Sequence, residues 1–308
     1  MKYSNLAALT VLGISTLGVS AHAAATLQTY YDFTSYGTVA GGSSITSSAY
    51  GESSTAATLS STATALTSSG LAITAGTAAG STGATMAGST LSGYTGDFSL
   101  QIWYNSPATF VSNSMLWGGT TSATADGTLV GDQGLFAGYG NMTNPATGFI
   151  RPIATNGQTG NAGKFGTAMA VTGGTGTTAS TLYDFVVTFD STNKVFNAYM
   201  NGTFVGTMTI PTGFNGLNAL TNGFSIGGVA SPAFGDPAAG VNITSFMMYT
   251  GTLSSTDVSN LNGIGATPTG AQFQAAGITA VPEPRVMALM TAGLIGMMFF
   301  IRRRKQMA

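Results

Sequence analysis

The sequence predicts an all-β fold, an antiparallel sandwich of two sheets. Short apolar segments alternate with turns rich in Gly, Ser, Thr and Asn, and very little of the chain has a helical pattern. The chain contains 44 glycines and no cysteine, so a buried core rather than disulfides must stabilise it. Residues 26–280 are numerous enough for one large all-β domain.

The first strong strand signal lies at 97–104. Apolar residues at 98, 100 and 102 alternate with Ser99 and Gln101, which predicts a strand with one apolar face and one face in water. Trp103 interrupts this pattern, and we expect it to pack at an edge or under a loop.

The clearest hairpins lie in the second half of the chain. Segments 183–189 and 195–200 are joined by a polar loop, and Asn201-Gly202 connects 195–200 to 203–210. Both Asn and Gly tolerate the positive φ of a type I′ turn, so this dipeptide predicts a two-residue hairpin.

Weaker signals complete the prediction. Ser254 with Asp257 three residues later predicts a short capped helix at 254–261. Residues 34–96, rich in Ser, Thr, Ala and Gly, have the least predictable fold. Further short strands are expected at 71–74, 115–117, 134–139, 224–227 and 243–249.

The N-terminus has the features of a secretion signal. Lys2 precedes an apolar stretch at 6–19, and Ala21 and Ala23 form a small-x-small site for signal peptidase. We therefore expect a signal peptide at 1–23 and a mature chain that starts at about residue 24.

The C-terminus has three parts with separate physical roles. Pro282, Glu283 and Pro284 keep the chain extended, and residues 286–301 form an apolar segment that would span about 24 Å as a helix. That length is short for a hydrocarbon core of about 30 Å and suits a transient anchor, although a permanent one-span anchor is the alternative. A basic cluster follows, which places the C-terminus in the cytoplasm: Arg302, Arg303, Arg304 and Lys305.

This C-terminal pattern resembles the PEP-CTERM sorting signal of Gram-negative bacteria. The resemblance implies cleavage near Pro282-Glu283-Pro284 by an exosortase, after transient residence of the helix in the inner membrane. It also implies release or attachment at the cell surface or in the extracellular matrix, in bacteria that make exopolysaccharide. Signal peptidase and exosortase are the processing partners that we expect.

The composition of the body excludes several kinds of chemistry. The only histidine, His22, lies in the signal peptide, so Ser-His-Asp and Cys-His catalysis and the usual zinc sites are excluded. The body has one glutamate, Glu52, and its aspartates have no recognisable catalytic spacing, so we do not expect an enzyme. Three basic residues less nine acidic ones make its net charge −6, which excludes nucleic acid as a partner.

The order of the strand motifs resembles the laminin-G-like members of the concanavalin A-like jelly rolls. The resemblance covers about residues 28–262 and implies two curved antiparallel sheets, with ligands on the concave face or the rim loops. The family often has Trp-His where this chain has Leu182-Tyr183, so no role of that histidine is carried over. The matching motifs are at 31–33, 96–103, 183–190, 198–202, 226–228, 246–249 and 253–254.

Members of this family often hold calcium at a rim. Asp126 and Asp132 lie in a Gly-rich segment that could fold carboxylates and carbonyls around calcium, which is the one cofactor that the sequence suggests. The alternative for these residues, and for Asp236, is an ordinary role in solvated turns.

Aromatic side chains are the other candidate ligand contacts, because flat rings pack against sugar rings. Trp117, Trp103 and Tyr139 are the candidates, with Tyr104 beside them. Core or edge packing is the alternative for each, but Gly118-Gly119 predicts an exposed ring for Trp117.

These observations divide the chain into a signal peptide at 1–23, a jelly-roll domain at 26–265, a linker at 266–280 and a sorting signal at 281–308. The first function predicted is a secreted surface or matrix protein that binds or structures exopolysaccharide. A structural or adhesive protein with a protein or self partner is the alternative, and a polysaccharide-acting enzyme is third.

Overall fold

A computed structural model describes most of the body of the protein. The described residues are 25–47, 55–60, 64–73, 83–106, 114–121, 133–141, 144–154, 169–171, 181–209, 214–228, 236–237 and 240–280. The predicted signal peptide and sorting signal therefore lie outside the described residues.

The described chain is built mainly of strands, numbered here in chain order. Those of the first half are β1 (Thr26–Asp32), β2 (Ser44–Thr46), β3 (Ala56–Leu59), β4 (Thr64–Thr67), β5 (Gly70–Ile73), β6 (Ala84–Met86), β7 (Phe98–Asn105), β8 (Ser114–Thr120) and β9 (Gln133–Asn141). Those of the second half are β10 (Asn144–Ala154), β11 (Met169–Val171), β12 (Leu182–Asp190), β13 (Val195–Met200), β14 (Thr203–Thr209), β15 (Gly223–Ile226), β16 (Asp236–Pro237), β17 (Asn242–Thr250) and β18 (Thr279–Ala280). The helices are α1 (Ser255–Ile264), α2 (Gly270–Ala275) and two 3-10 turns, Gly88–Leu91 and Leu217–Ala219.

The strands form two sheets, which confirms the predicted all-β sandwich of the jelly-roll type. Sheet A has the order β14-β13-β12-β7-β17-β1-β18, with β5 paired to β17 and β4 to β5. Sheet B has the order β11-β10-β9-β8-β15-β6-β3-β2, with β16 paired to β8. Neighbours in the described sheets are antiparallel except for β1 with β18 and β8 with β16.

The main core lies between the sheets. In β7 the side chains of Phe98, Leu100, Ile102 and Tyr104 all enter this core, as the alternation of a strand requires. From sheet B it receives Trp117, among others. The predicted apolar face of β7 is therefore confirmed.

The opposite face of β7 corrects the prediction of a surface in water. Ser99 and Gln101 are both buried, because a second core covers the outer face of sheet A. Trp103 lies on this same face, so it continues the alternation instead of breaking it. The second core is completed by Val258 and Leu261 of α1.

The segment at 266–280 is not a linker, and this prediction is wrong. Thr269 and Gln272 form a capping box at the start of α2, and Phe273 is fully buried in the second core. After α2 the chain pairs with β1 in a parallel arrangement, Thr26 opposite Thr279. The folded domain therefore extends to residue 280.

The local turn and cap signals were correct. Asn201 and Gly202 have φ values of 51° and 76° and connect β13 to β14, as expected of a type I′ turn. Ser254 caps α1, and the side chain of Asp257 accepts a hydrogen bond from the Ser254 backbone at 2.9 Å.

Among the described residues, no helix is long and apolar enough to cross a membrane.

Candidate functional site

A polar cavity of about 310 Å³ opens at one edge of the sandwich. There β1 of sheet A approaches the start of β3 and the 3-10 turn Gly88–Leu91 that follows β6 of sheet B. The lining residues that the structure describes are all uncharged: Gln28, Thr29, Thr55, Thr90, Ser92, Gly93, Tyr94 and Thr250.

A β-bulge in β1 positions the first side of the cavity. Leu27 pairs with Tyr249 and Thr29 with Met248, so Gln28 is an extra residue in the ladder. The Gln28 amide Nε2 donates to Thr250 Oγ1 at 3.0 Å. The bulge thus places consecutive polar residues of β1 at the cavity.

Three hydroxyl groups meet in the wall of the cavity. Thr29 Oγ1 lies 3.0 Å from Tyr94 Oη and 3.2 Å from Thr55 Oγ1, and either partner can be the donor in each pair. Thr29 is 2% exposed and Tyr94 is 4% exposed. Tyr31 Oη donates to the Thr55 carbonyl at 2.6 Å and holds that residue in place. This arrangement is preformed by the fold.

The second side of the cavity comes from the 3-10 turn and the residues after it. Leu91 is fully buried in the main core and anchors the turn, and the Tyr94 N–H donates to the Leu91 carbonyl at 3.0 Å. The Thr90 hydroxyl donates to the Ala87 carbonyl at 2.6 Å, and the Ser92 hydroxyl donates to the Ser89 carbonyl at 2.9 Å. The hydroxyl oxygens of Thr90 and Ser92 can therefore act as acceptors toward a ligand.

The described lining of the cavity carries no charged side chain. Burial, and then the neighbouring phenols of Tyr36 and Tyr94, raise the pKa of Tyr31, so that group stays protonated at neutral pH. The lining of the cavity supplies hydroxyl and amide groups, which both donate and accept hydrogen bonds.

The sequence interpretation did not identify this site. Its residues come from β1, from the poorly patterned segment at 34–96 and from the end of β17, and only the fold brings them together. The one available signal was Tyr94, the single aromatic residue in the segment 88–96, which otherwise consists of Leu91 and of Ser, Thr and Gly.

The expected exposure of Trp117 is wrong. Its side chain is 1% exposed and stacks on Phe224, with ring centroids 5.6 Å apart. Gly118 and Gly119 belong to β8 and not to a loop, and a Cβ on Gly119 would lie 2.8 Å from the Gly223 carbonyl oxygen. These glycines allow β8 and β15 to approach closely, which leaves the tryptophan ring inside the core.

The other aromatic candidates are also inside the protein or incompletely described. Trp103 is buried in the second core, and Tyr104 is buried in the main core, stacked on Tyr183 at 5.9 Å. Tyr139 lies in β9, where only its backbone is described, opposite Ser114 and Gly148. Neither Trp103 nor Tyr104 lines the cavity.

Acidic side chains form no metal centre in the part of the chain that the structure describes, where no group of three or more His, Cys, Asp or Glu side chains could hold an ion. The proposed calcium ligands Asp126 and Asp132 lie outside the described residues. Asp236 lies in β16, where its backbone pairs opposite Ser114.

Two aspartates meet at the loop after β12. The carboxylate of Asp97 accepts hydrogen bonds from Ser191, and that of Asp190 accepts them from Thr192 and Asn193. Burial works against ionisation of Asp190, but the bonds from Asn193 and Thr192 outweigh it and lower its pKa. Both carboxylates therefore have a structural role in shaping this loop.

Asp184 has a different environment, because it is fully buried in the outer face of sheet A. Its Oδ1 accepts from Gln101 Nε2 at 2.9 Å, and Gln101 Oε1 accepts from Tyr249 Oη at 2.9 Å. Burial raises the pKa of Asp184 to about 7, although the bond from Gln101 acts in the opposite direction. Among the described residues, neither Asp184 Oδ2 nor the Nε1 of Trp103, its cross-strand neighbour, has a hydrogen-bond partner.

Known proteins offer similarity in fold alone. No protein-family model matches the chain, and no curated protein matches it significantly. Similar solved structures include the CBM40 module of the Ruminococcus gnavus IT-sialidase bound to α2,3-sialyllactose, with 15% identity over 63% of this chain and 95% of that chain and a TM-score of 0.43.

Two further similar structures come from other enzymes. Domain 4 of AbnA, a GH43 extracellular arabinanase from Geobacillus stearothermophilus in complex with arabinotriose, has 14% identity over 78% of this chain and 100% of that domain, with a TM-score of 0.42. The Trypanosoma rangeli sialidase in complex with sialic acid has 17% identity and a TM-score of 0.47, and the match covers 77% of this chain but 32% of that enzyme. At these identities and TM-scores, the likenesses say nothing about a ligand of this chain.

Proposed function

We propose that the protein is a secreted, exosortase-processed protein of the cell surface or extracellular matrix that binds exopolysaccharide through the polar cavity at the edge of the sandwich. The observation that carries the proposal is the preformed cluster of Thr29, Thr55 and Tyr94 hydroxyls in a cavity whose described lining is uncharged. Sugar hydroxyls need partners that can both donate and accept, and hydroxyl and amide groups meet that need.

The size of the cavity agrees with such a ligand. Its volume of about 310 Å³ is at the small end of the range of about 300–1,000 Å³ for small-molecule sites. That favours one sugar ring of a chain, or its end, over a long segment held in a groove. A matrix protein needs only such local contacts, because many weak contacts along a polymer add up.

The terminal segments support the location. The signal peptide at 1–23 and the sorting pattern at Pro282-Glu283-Pro284 with its basic tail would direct the chain across the inner membrane of a Gram-negative bacterium. Exopolysaccharide is a polymer that such a protein would meet at its destination.

A structural or adhesive role with a protein or self partner is the second candidate. It is favoured by Phe204, which is 52% exposed on β14, and by Leu182, which is 41% exposed on β12. Exposed large apolar side chains are common at protein contacts, but single ones also occur on ordinary surfaces. A polysaccharide-acting enzyme is third, because hydrolysis by two carboxyl groups requires acids at the ligand and the described part of the lining supplies none.

The proposal is tested by binding of the full chain, purified in detergent, to immobilised exopolysaccharides, with a Tyr94→Phe variant beside it. We expect saturable binding, and we expect the variant to bind about tenfold more weakly, because it loses one hydroxyl of the cluster. Tyr199→Phe is the matched control, since it removes a phenol hydroxyl far from the cavity lining.

The same measurement is made with calcium and with a chelator. This comparison tests the expectation that Asp126 and Asp132 bind calcium. Absence of binding to any polysaccharide would overturn the proposal and favour the adhesive role. Equal binding by Tyr94→Phe and the unmodified protein would show that sugars bind elsewhere.

A further inference from the structure

The donors and acceptors that line the cavity at β1 favour some sugars over others. This inference rests on the proposed function. Thr29 is the central member of the hydroxyl chain Thr55, Thr29, Tyr94, and it is buried. Each hydroxyl in such a chain can rotate, so the chain can run in either direction. The group that meets a ligand can thus donate or accept, as a sugar hydroxyl also can.

The rim of the cavity is rich in acceptors. The hydroxyl protons of Thr90 and Ser92 are donated to the carbonyls of Ala87 and Ser89, so their oxygens offer lone pairs. A sugar hydroxyl can donate to these oxygens. A carboxylate, sulfate or phosphate group only accepts hydrogen bonds, so it would meet lone pairs and gain nothing from them.

The amide at the mouth is similarly suited to hydroxyl groups. Gln28 uses one N–H in its bond to Thr250 and keeps its second N–H and its carbonyl oxygen for other partners. An amide with one donor and one acceptor suits two adjacent hydroxyls of a sugar ring.

Among the described residues, no cation at this site compensates for an anionic ligand. The described lining contains neither Lys nor Arg, and Lys194 lies over the ring of Phe189, with Nζ 6.0 Å from the ring centroid. Transfer of an anion from water into a site without charged partners is unfavourable, and strong recognition of carboxylates and phosphates uses Arg or Lys. The net negative charge of the body also disfavours the binding of an anionic ligand.

From this geometry we infer that the cavity binds one uncharged sugar residue through hydroxyl and amide hydrogen bonds alone, and that it rejects uronic, sialic, sulfated and phosphorylated sugars. The lining residues that the structure describes include no carboxylate, so we expect binding here to be independent of calcium. The ligand would be a neutral residue within the polymer or at its end.

The test uses pairs of sugars that differ only in charge. The full chain is titrated by calorimetry with the methyl glycosides of glucose, galactose and mannose, and with the corresponding methyl uronides. We expect at least one neutral glycoside to bind about tenfold or more tightly than its uronide, with an affinity that does not depend on calcium.

Variants at Gln28 and Thr29 make the result specific to this cavity. Gln28→Lys adds a cation at the mouth, and we expect it to reduce or reverse the preference for the neutral glycoside. Thr29→Val removes the central hydroxyl at nearly the same volume and should weaken neutral binding, whereas Thr29→Ser should retain it. The melting temperature of each variant separates lost binding from lost folding.

The outcomes distinguish this inference from the proposed function. Uronides that bind as tightly as the neutral glycosides, or more tightly, overturn the inference and leave polysaccharide binding in place. A chain that binds no sugar of either kind, monomeric or polymeric, overturns the proposed function itself. Unchanged neutral binding by Thr29→Val would also overturn the assignment to this cavity.

Discussion

Among the single residues that the structure describes, Asp184 has the greatest expected influence on how stability changes between pH 4 and pH 8. Its carboxyl group is buried beside Gln101 and Tyr249, and burial raises its pKa from 3.8 to about 7. One pKa unit corresponds to about 1.36 kcal/mol, so the difference amounts to roughly 4 kcal/mol. Because the folded state holds this proton more tightly than the unfolded state, stability falls as the pH rises.

We predict that Asp184→Asn removes this pH dependence. The contribution of Asp184 is fully present below pH 3.8 and is lost as the pH rises through about 7. An asparagine keeps an acceptor for Gln101 and cannot ionise. Urea unfolding at pH 4 and pH 8 should therefore show a smaller loss of free energy for the variant, by an amount of the order of 4 kcal/mol.

Asp190 is the matched control for this experiment, because its pKa is shifted in the opposite direction. Its stabilising contribution is present above the unfolded pKa and is lost as the pH falls through the lower folded value. Asp190→Asn should thus destabilise the protein at neutral pH. It should leave unchanged the loss of stability that Asp184 causes as the pH rises above 4. Parallel pH curves for the unmodified protein and Asp184→Asn would contradict the prediction.

At the scale of elements, α2 and β18 decide whether the outer face of sheet A is covered. Phe273 packs its ring against Tyr30 of β1, with centroids 5.5 Å apart in an edge-on arrangement. Trp103 belongs to the same second core. The indole of Trp103 therefore reports on how closely this segment packs.

We predict that Phe273→Ala destabilises the protein by about 3–5 kcal/mol, as is typical when a buried aromatic ring is deleted. In a Trp117→Phe background Trp103 is the only remaining tryptophan, and its fluorescence should shift to the red as water reaches it. Ser254→Ala, which removes the cap of α1, should lower stability by about 1 kcal/mol with little shift of the emission. Unchanged emission and stability in Phe273→Ala would show that α2 does not cover the second core.

For the whole molecule, the two ends of the domain meet at one corner. β18 runs parallel to β1, with Thr26 opposite Thr279 and Leu27 opposite Ala280, so the first and last strands of the domain lie side by side. The cavity begins at the next residue of β1, Gln28. Any tether at residue 280 would therefore hold the protein close to its candidate binding site.

We predict that a chain ending at residue 265 is much less stable than one ending at 280. The shorter chain loses Phe273, Ala276 and Ile278 from the second core and exposes the outer face of sheet A. The measurement is the urea midpoint and the soluble yield of both chains. Equal midpoints would restore the interpretation of 266–280 as a linker.

Much of the fold could be predicted from local patterns. The β12–β13–β14 meander, the Asn201-Gly202 turn and the Ser254 cap each depend on residues that are close in sequence, and the structure has them where they were expected. The second face of β7 could not be predicted in this way. Ser99 and Gln101 are polar, and only the return of a segment more than 150 residues away, at 255–280, buries them.

The candidate site depended on long-range contacts even more strongly. The sequence gives no reason to group the residues that line the cavity, which include Gln28, Thr55, Tyr94 and Thr250. They line one cavity because β1 lies beside β17 at one edge of sheet A and close to the end of sheet B. Composition and patterning were sufficient for the all-β class, since that class depends on residue types and their local order. The exposure of Trp117 and the position of the cavity depend on which distant strands meet, and that is a property of the packed molecule.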